Sequence, residues 1–322
     1  MTRTTAAIAI AIIAALAGYA SAQNYPLRPV HLVVPNAPGG ATDILSRLLA
    51  DRLAPRLGQQ VVIDNKPGAG GNVAARFVAK ASGDGYTVLF TTRGIATAPA
   101  LSKDAGFDPI KEFLPVALLA VQGMLLVVHP SLPAANVADF VAYARAHPGQ
   151  LTYATPGIGT PHHLAMEMFK QIARVNLTHV PYKGGAPAVQ DVVAGRVPVM
   201  FASYVIAGPY MKAGKLRALG ASGDARNSQA QDIPTISEQG YPGFDVEPWF
   251  GITAPLETPP AAIARLNQEI NTVLANTELK QQLLKIGFDP VPAKTPAEFG
   301  NFMRTEAVKW SKVIREANIT PE

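Results

Sequence analysis

Four short segments carry the residue types that gather around an anion. They read Asn36-Ala37-Pro38-Gly39-Gly40-Ala41-Thr42-Asp43, Asn65-Lys66-Pro67-Gly68-Ala69-Gly70-Gly71-Asn72, Thr155-Pro156-Gly157-Ile158-Gly159-Thr160-Pro161-His162 and Pro181-Tyr182-Lys183-Gly184-Gly185-Ala186. Each follows a short apolar run and leads into a helical pattern. Glycine lets the chain turn sharply and lets a ligand approach the backbone closely. The free N–H groups of a helix start attract negative charge, helped by the helix dipole. One such loop alone serves a tight turn more often than a ligand. Four at matching places point to an anion-binding cleft. Lys183 and Arg93 are the cationic side chains nearest these loops, and either can pair with a carboxylate. Trp249 and Phe250 suit hinge core better than a ligand platform.

Signatures of catalysis are missing. Gly68-Ala69-Gly70 lacks its third glycine at Val73, so the dinucleotide fingerprint fails. Pro209 stands where a phosphate loop ending in Gly214-Lys215 needs glycine, and Leu216 where it needs a hydroxyl. No Gly-x-Ser-x-Gly elbow exists. His163 and Glu167, one helical turn apart, are the best metal pair, but no third ligand accompanies them. His162 and His163 read instead as polar groups at a helix start. No catalytic residue, metal ligand or cofactor is expected.

The elements that must hold the four loops repeat a strand–loop–helix rhythm. Strands are expected over 30–35, 61–64 and 86–91, with helices over 43–57 and from Val73 through Val78. An apolar stretch, 116–121 and 124–129, splits near Gly123 and marks a crossing into a second lobe. There the rhythm restarts: helices over 137–146, 162–172 and 187–194, strands over 151–154, 177–180, 197–202 and 216–222. The segment 247–254 returns to the first lobe, followed by helices over 261–275, 277–286 and 296–317. Such alternation is α/β architecture with parallel sheets covered by helices. Two crossings make lobe 1 discontinuous, 23–122 plus 251–322, with lobe 2 at 123–250.

The N-terminus reads as a secretory signal. Arg3 precedes an apolar run from Ala6 to Ala17, and Ala20-Ser21-Ala22 offers a small-x-small cleavage site after residue 22. The run is shorter than the ~20 residues that span a bilayer. The chain has no cysteine, which excludes disulfides and thiolate metal sites and rules out a lipid on cysteine. Hydrophobic residues make up 48% and charged residues 16%, a globular composition that at 322 residues allows two lobes. The formal charge of +5 is spread without Lys/Arg runs, which argues against nucleic acid and suits a mild field that collects anions.

Taken in order, these residues resemble a known family. The segments are P-N-A-P-G-G-A-T-D (35–43), D-N-K-P-G-A-G-G-N (64–72), H-P-S-L-P (129–133), P-G-I-G-T-P-H-H (156–163), V-P-Y-K-G-G (180–185) and Trp249-Phe250-Gly251. The chain is similar over its mature length to the extracytoplasmic receptors of tripartite tricarboxylate transporters, the Bug or TctC family. The resemblance implies a type II periplasmic-binding-protein fold: two lobes, two connecting strands and a closing cleft. It implies a periplasmic protein that captures a small carboxylate through backbone N–H groups and ordered waters. The ligand is then passed to membrane transporter subunits driven by an ion gradient, without ATP. Carried over, the ligand-binding positions are Gly39, Gly40, Ala41, Thr42 and Asp43; Gly70, Gly71 and Asn72; Thr91, Thr92 and Arg93; Gly157, Gly159, Thr160 and His162; and Lys183 and Gly184.

Two positions depart from the family pattern. Asn36 stands where an aromatic residue often packs on the ligand. Ala202 stands where members that bind amino acids place an aspartate. A ligand ammonium would there lose its partner, and burying it unpaired is costly. The expected ligand is therefore a di- or tricarboxylate or an aromatic acid, without an amino group. The alternatives are a ligand-presenting component of a sensing system, a periplasmic enzyme, for which no catalytic constellation is present, and a regulator's effector domain, which the signal segment opposes.

Overall fold

The computed structural model describes residues 25–39, 41–101, 105–182 and 184–319, and the expected signal segment lies outside them. The first half-lobe runs β1 (Val30–Val34), α1 (Ala41–Leu57), β2 (Val61–Asn65), a 3-10 turn (Ala69–Gly71), α2 (Asn72–Ala79), β3 (Thr87–Thr92), α3 (Arg93–Leu101) and β4 (Phe113–Val121). The middle of the chain gives β5 (Met124–Val128), α4 (Val137–Ala146), β6 (Thr152–Thr155), α5 (Pro161–Ala173) and β7 (Thr178–Pro181). It continues with α6 (Gly185–Val193), β8 (Val199–Ser203), α7 (Tyr204–Lys212) and β9 (Arg217–Ala221). The chain then returns through β10 (Trp249–Pro255), α8 (Pro260–Ala275), α9 (Thr277–Lys285), β11 (Asp289–Pro290) and α10 (Pro296–Glu316).

Side-chain alternation explains why each sheet is covered on both faces. In β1, Val30, Leu32 and Val34 face a core shared with Leu45, Leu49 and Leu53 of α1. Val33 faces the opposite side, with Ala74, Ala75 and Val78 of α2. In β5, Met124, Leu126 and Val128 share a core with Phe169 of α5, while Leu125 and Val127 meet Val189 and Val192 of α6. A strand buried on both faces reads as an unbroken apolar run, as β5 does; in β1 only the exposed His31 interrupts it.

The two lobes repeat one topology. The first sheet has order β11-β4-β10-β3-β1-β2 and the second β7-β6-β8-β5-β9. In the first, β1 pairs parallel with β2 and β3; in the second, β6 pairs parallel with β7 and β8. The unit β1-α1-β2-α2-β3 thus matches β6-α5-β7-α6-β8. In both, the chain leaves the central strand in one direction and returns on the other side. That reversal opens a crevice at the carboxyl ends of the strands, where the four glycine-rich loops lie.

The crossings run side by side. Gln122 N–H donates to Pro248 O at 2.8 Å, and Ser222 Oγ to Val246 O at 2.7 Å. A third element spans both lobes. In α10, Phe299 and Met303 pack with Trp249 and Leu118, while Trp310, Val313 and Ile314 enter the core of the second lobe. Helix α10 starts with a capping box between Thr295 and Glu298.

Two helices were not expected from the sequence: α3 carries Pro99 and α7 carries Pro209 inside its span. Proline reads as a helix breaker because it removes a donor and crowds the preceding turn. In α3 buried Ile95, Ala96 and Ala98 supply the packing that sustains the helix. Arg93, read from sequence as the end of a loop, is the first residue of that helix.

Candidate functional site: an anion-receiving cleft

A cleft of about 730 Å³ lies between the lobes. From the first lobe it is lined by Pro35, Asn36, Ala37 and Thr42, by the loop 67–72, and by Thr92, Arg93, Gly94, Ala98 and Leu101. From the second it is lined by 158–162, and the crossings add Gln122, Pro248, Trp249 and Phe250. No aspartate or glutamate is among these lining residues.

The first-lobe loops are braced from behind. Asp43 is buried, and its Oδ2 accepts from Gly39 N and from Arg47 Nε, each at 2.9 Å. Its Oδ1 accepts from Asn65 Nδ2 at 3.0 Å, and the same amide reaches Asn36 O at 2.9 Å. The Arg47 hydrogen bond, aided by the Gly39 amide, holds this carboxyl down at about 2 against the opposing effect of burial. Asp43 is therefore an ionised clamp joining the loops after β1 and β2.

The loop after β2 tightens into α2 with a succession of left-handed residues. Gly71 has φ +100°, and a Cβ there would meet Ile95 Cγ1 and Pro35 Cβ at 3.1 Å. Glycine is required on both counts. Gly71 caps α2 with no side-chain hydrogen bond, so the first-turn N–H groups face the cleft end uncapped by a side chain. In the second lobe, Thr160 caps α5: its Oγ1 accepts from His163 N at 3.4 Å and donates to Gly157 O at 2.7 Å. Gly159 N–H donates to His163 Nδ1 at 3.1 Å. At Gly159, φ is +71° and a Cβ would lie 3.1 Å from Leu101 Cδ1, on the opposite lobe.

Among the described lining residues, Arg93 alone carries a full charge. Arg93 is 1% exposed, its guanidinium lies 4.5 Å from the Trp310 ring centroid, and none of its three side-chain nitrogens has a hydrogen-bond partner among the described residues. Burial lowers it to about 10, partly offset by Glu306, Asp245 and Glu247, so it stays charged at neutral pH. His162 Nδ1 is likewise buried without a partner. Burial, and then Arg93, push His162 down to about 4, so its ring is neutral near pH 7. Buried polar groups are ordinarily paired, which marks both as groups awaiting a partner.

Of the positions proposed from sequence, Thr42, Gly70, Gly71, Asn72, Thr92, Arg93, Gly159, Thr160 and His162 line the cleft together. Gly39, Asp43, Thr91, Gly157 and Gly184 do not line it. Neither does Ala202, which is buried in β8 beside Leu125 and Ala221. Gly40 and Lys183 lie outside the described residues, and of Ala41 only the backbone is described. Gln122, Ala98 and Leu101 were missed, the last two because α3 was missed. Trp249 and Phe250 are hinge core, as read, and cleft wall as well.

The metal pair is otherwise engaged. Glu167 Oε1 lies 3.8 Å from His163 Nε2 but accepts from Tyr153 Oη and from Lys170 Nζ, the latter at 2.7 Å.

Two lobes of repeated topology around a cleft that gathers amides, hydroxyls and a cation define a solute-binding protein rather than an enzyme. The family profile described as the tripartite tricarboxylate transporter family receptor matches residues 45–319, and the chain belongs to that family. It is 34% identical to the protein BugT of Bordetella pertussis, covering 98% of each chain. Among solved structures it resembles R. palustris Rpa4515 with adipate, at 38% identity and a TM-score of 0.80, covering 92% of this chain and 100% of that one. It also resembles MatC of Rhodopseudomonas palustris with bound malate, at 33% identity and a TM-score of 0.76, covering 90% and 100%.

Proposed function

We propose that this chain captures a small carboxylate lacking an amino group in the periplasm and delivers it to membrane subunits of a tripartite tricarboxylate-type transporter. The observation that carries this reading is the buried, unpartnered guanidinium of Arg93 at a cleft lined, among the described residues, by no carboxylate. An anionic ligand would relieve an isolated charge; an ammonium would add a second one beside it. The position of Ala202 no longer bears on this, since it lies off the cleft; the absence of an acid from the described lining takes its place. The similar structures holding adipate and malate support the same ligand chemistry.

Binding proceeds by closure. In an open form each lobe offers half of the site: the α2 start, Thr42 and Arg93 on one side, Thr160 and the α5 start on the other. A carboxylate that bridges them shifts the population toward the closed state. The test is a thermal-shift screen of refolded protein against adipate, malate, succinate, citrate, benzoate, aspartate and glutamate, followed by calorimetry. A ligand at 100 times its Kd raises stability by about 2.7 kcal/mol. Stabilisation by a carboxylate without an amino group is expected. Stabilisation by aspartate or glutamate alone would overturn the exclusion of amino acids, and none with any carboxylate would overturn the receptor reading.

A further inference from the structure

Behind the second-lobe loop lies a buried polar cluster that ligand capture has not yet used. His163 of α5 and His179 of β7 stack with ring centroids 4.1 Å apart and planes 9° from parallel. Tyr153 of β6 stacks on His179 at 4.9 Å. Each histidine holds one glycine of the loop 155–160. His163 Nδ1 accepts the Gly159 N–H at 3.1 Å. His179 Nε2 lies 2.6 Å from Thr155 Oγ1, which accepts the Gly157 N–H at 3.2 Å.

The geometry fixes the protonation state. A ring nitrogen that accepts from an amide carries no proton, so His163 is neutral with its proton on Nε2, toward Glu167. An imidazolium bears N–H on both nitrogens and cannot accept at Nδ1. The charged and titratable groups facing the pair are Glu167 and Lys170 from α5 and Tyr153 from β6. Glu167 favours a proton on the rings, but its carboxylate is already committed to Tyr153 and Lys170, and Lys170 opposes it. Two positive rings stacked face to face would repel, so the pair takes up one proton before two.

We propose that His163 is a positioning residue for ligand capture: its neutral ring holds the Gly159 amide and so shapes the second-lobe half of the cleft, and protonation of the His163–His179 pair releases the loop and weakens binding. This rests on the carboxylate-receptor reading for its effect on affinity, though not for its effect on the loop. Gly159 lies against Leu101 of the opposite lobe, so its release disturbs the ligand cradle and the closing contact together. Burial lowers His163 below its ordinary value and His179 to about 4. The held loop is therefore the neutral-pH form, and acid is the releasing condition.

The experiment combines two readouts on the full mature chain. In the first, the Gly159 amide and the histidine rings of ligand-free protein are followed by NMR from pH 7.5 to 3.5. The Gly159 resonance should titrate with His163, and it should stop doing so in His163→Asn, whose side-chain oxygen can accept in place of Nδ1 without titrating. The His179 ring should titrate at higher pH in His163→Asn, because the neighbouring His163 ring helps to hold its value down. In the second, adipate affinity is measured at pH 7.5 and 4. Wild type should weaken by about twofold or more beyond His163→Asn, a difference that cancels adipate's own protonation. A Gly159 amide indifferent to pH, or one that titrates equally in His163→Asn, would overturn the proposal. If His163→Asn does not fold, wild type alone decides: a Gly159 midpoint apart from that of the His163 ring would overturn the proposal. Failure of adipate to bind at any pH would count against adipate as the ligand, and the NMR readout would still decide the role of His163.

Discussion

Gly159→Ala places one methyl group at the point where the second-lobe loop meets the first lobe. At φ +71° an alanine adopts the left-handed region, at a cost of about 1–2 kcal/mol. The methyl also comes within 3.1 Å of Leu101 Cδ1. Leu101 is a half-buried side chain near the end of α3 and can yield, so this contact adds about 1 kcal/mol, the low end of the overpacking range. The Leu101 contact crosses the cleft, so its share falls on the closed state. If the backbone strain is also relieved when the loop is unliganded, the total of about 2 kcal/mol appears as roughly thirtyfold weaker binding. Calorimetry with the carboxylate that stabilises wild type best measures this directly. Adding Leu101→Ala to the variant separates the contributions, because it relieves the steric contact and leaves the backbone strain. A folded Gly159→Ala protein that binds within about twofold of wild type would refute the assignment of this loop to the cleft, a margin set well inside the expected loss.

Three further perturbations have signs that distinguish roles. Arg93→Met keeps the stem packed on Trp310 and removes an unpartnered buried charge; ligand-free protein should melt higher, by the equivalent of about 1 kcal/mol or more, while carboxylate affinity falls. Loss of both stability and affinity would mean that the cation is paired in the ligand-free protein. Asp43→Asn should cost about 1–3 kcal/mol, read by urea unfolding at pH 7. Because the carboxyl is held at about 2, below its ordinary 3.8, the stability it adds is complete above pH 4 and fades as pH falls toward 2; the variant's deficit should shrink over that range. Glu247 runs the other way. Burial, with Asp245, Asp224 and Asp289 beside it, pushes its carboxyl up to about 7, so its ionisation costs stability as pH rises from 4.5 through 7. Glu247→Gln should leave the melting temperature unchanged at pH 4.5 and raise it at pH 8; an equal effect at both would show that this carboxyl is not held protonated.

The sequence carried the lobes' repeated rhythm because strands buried on both faces leave short apolar runs at regular spacing. Val30–Val34 and Met124–Val128 are such runs, and the loops after β1, β2, β6 and β7 are marked by glycines whose backbone no other residue adopts readily. Periodicity gave less away where a helix contains proline. Pro99 and Pro209 hid α3 and α7, and with α3 went Leu101 and the setting of Arg93. Family pattern placed Ala202 at the ligand, whereas the pleat of β8 turns it to the same core as Met200, away from the cleft. The His163–Gly159 bond was beyond reach for another reason. The i, i+4 spacing of His163 and Glu167 suggested a shared ligand, but the partner of Nδ1 depends on how the preceding loop folds back over the helix start.

Helix α10 ties the stability of one lobe to that of the other. Phe299 and Met303 pack beside Trp249 and Leu118, and two turns later Trp310, Val313 and Ile314 fill the core of the second lobe. One 21-residue helix is thus a shared part of both lobes' packing. Detaching it strips apolar contacts from both at once, so heat or denaturant should unfold the two lobes in a single transition rather than in two.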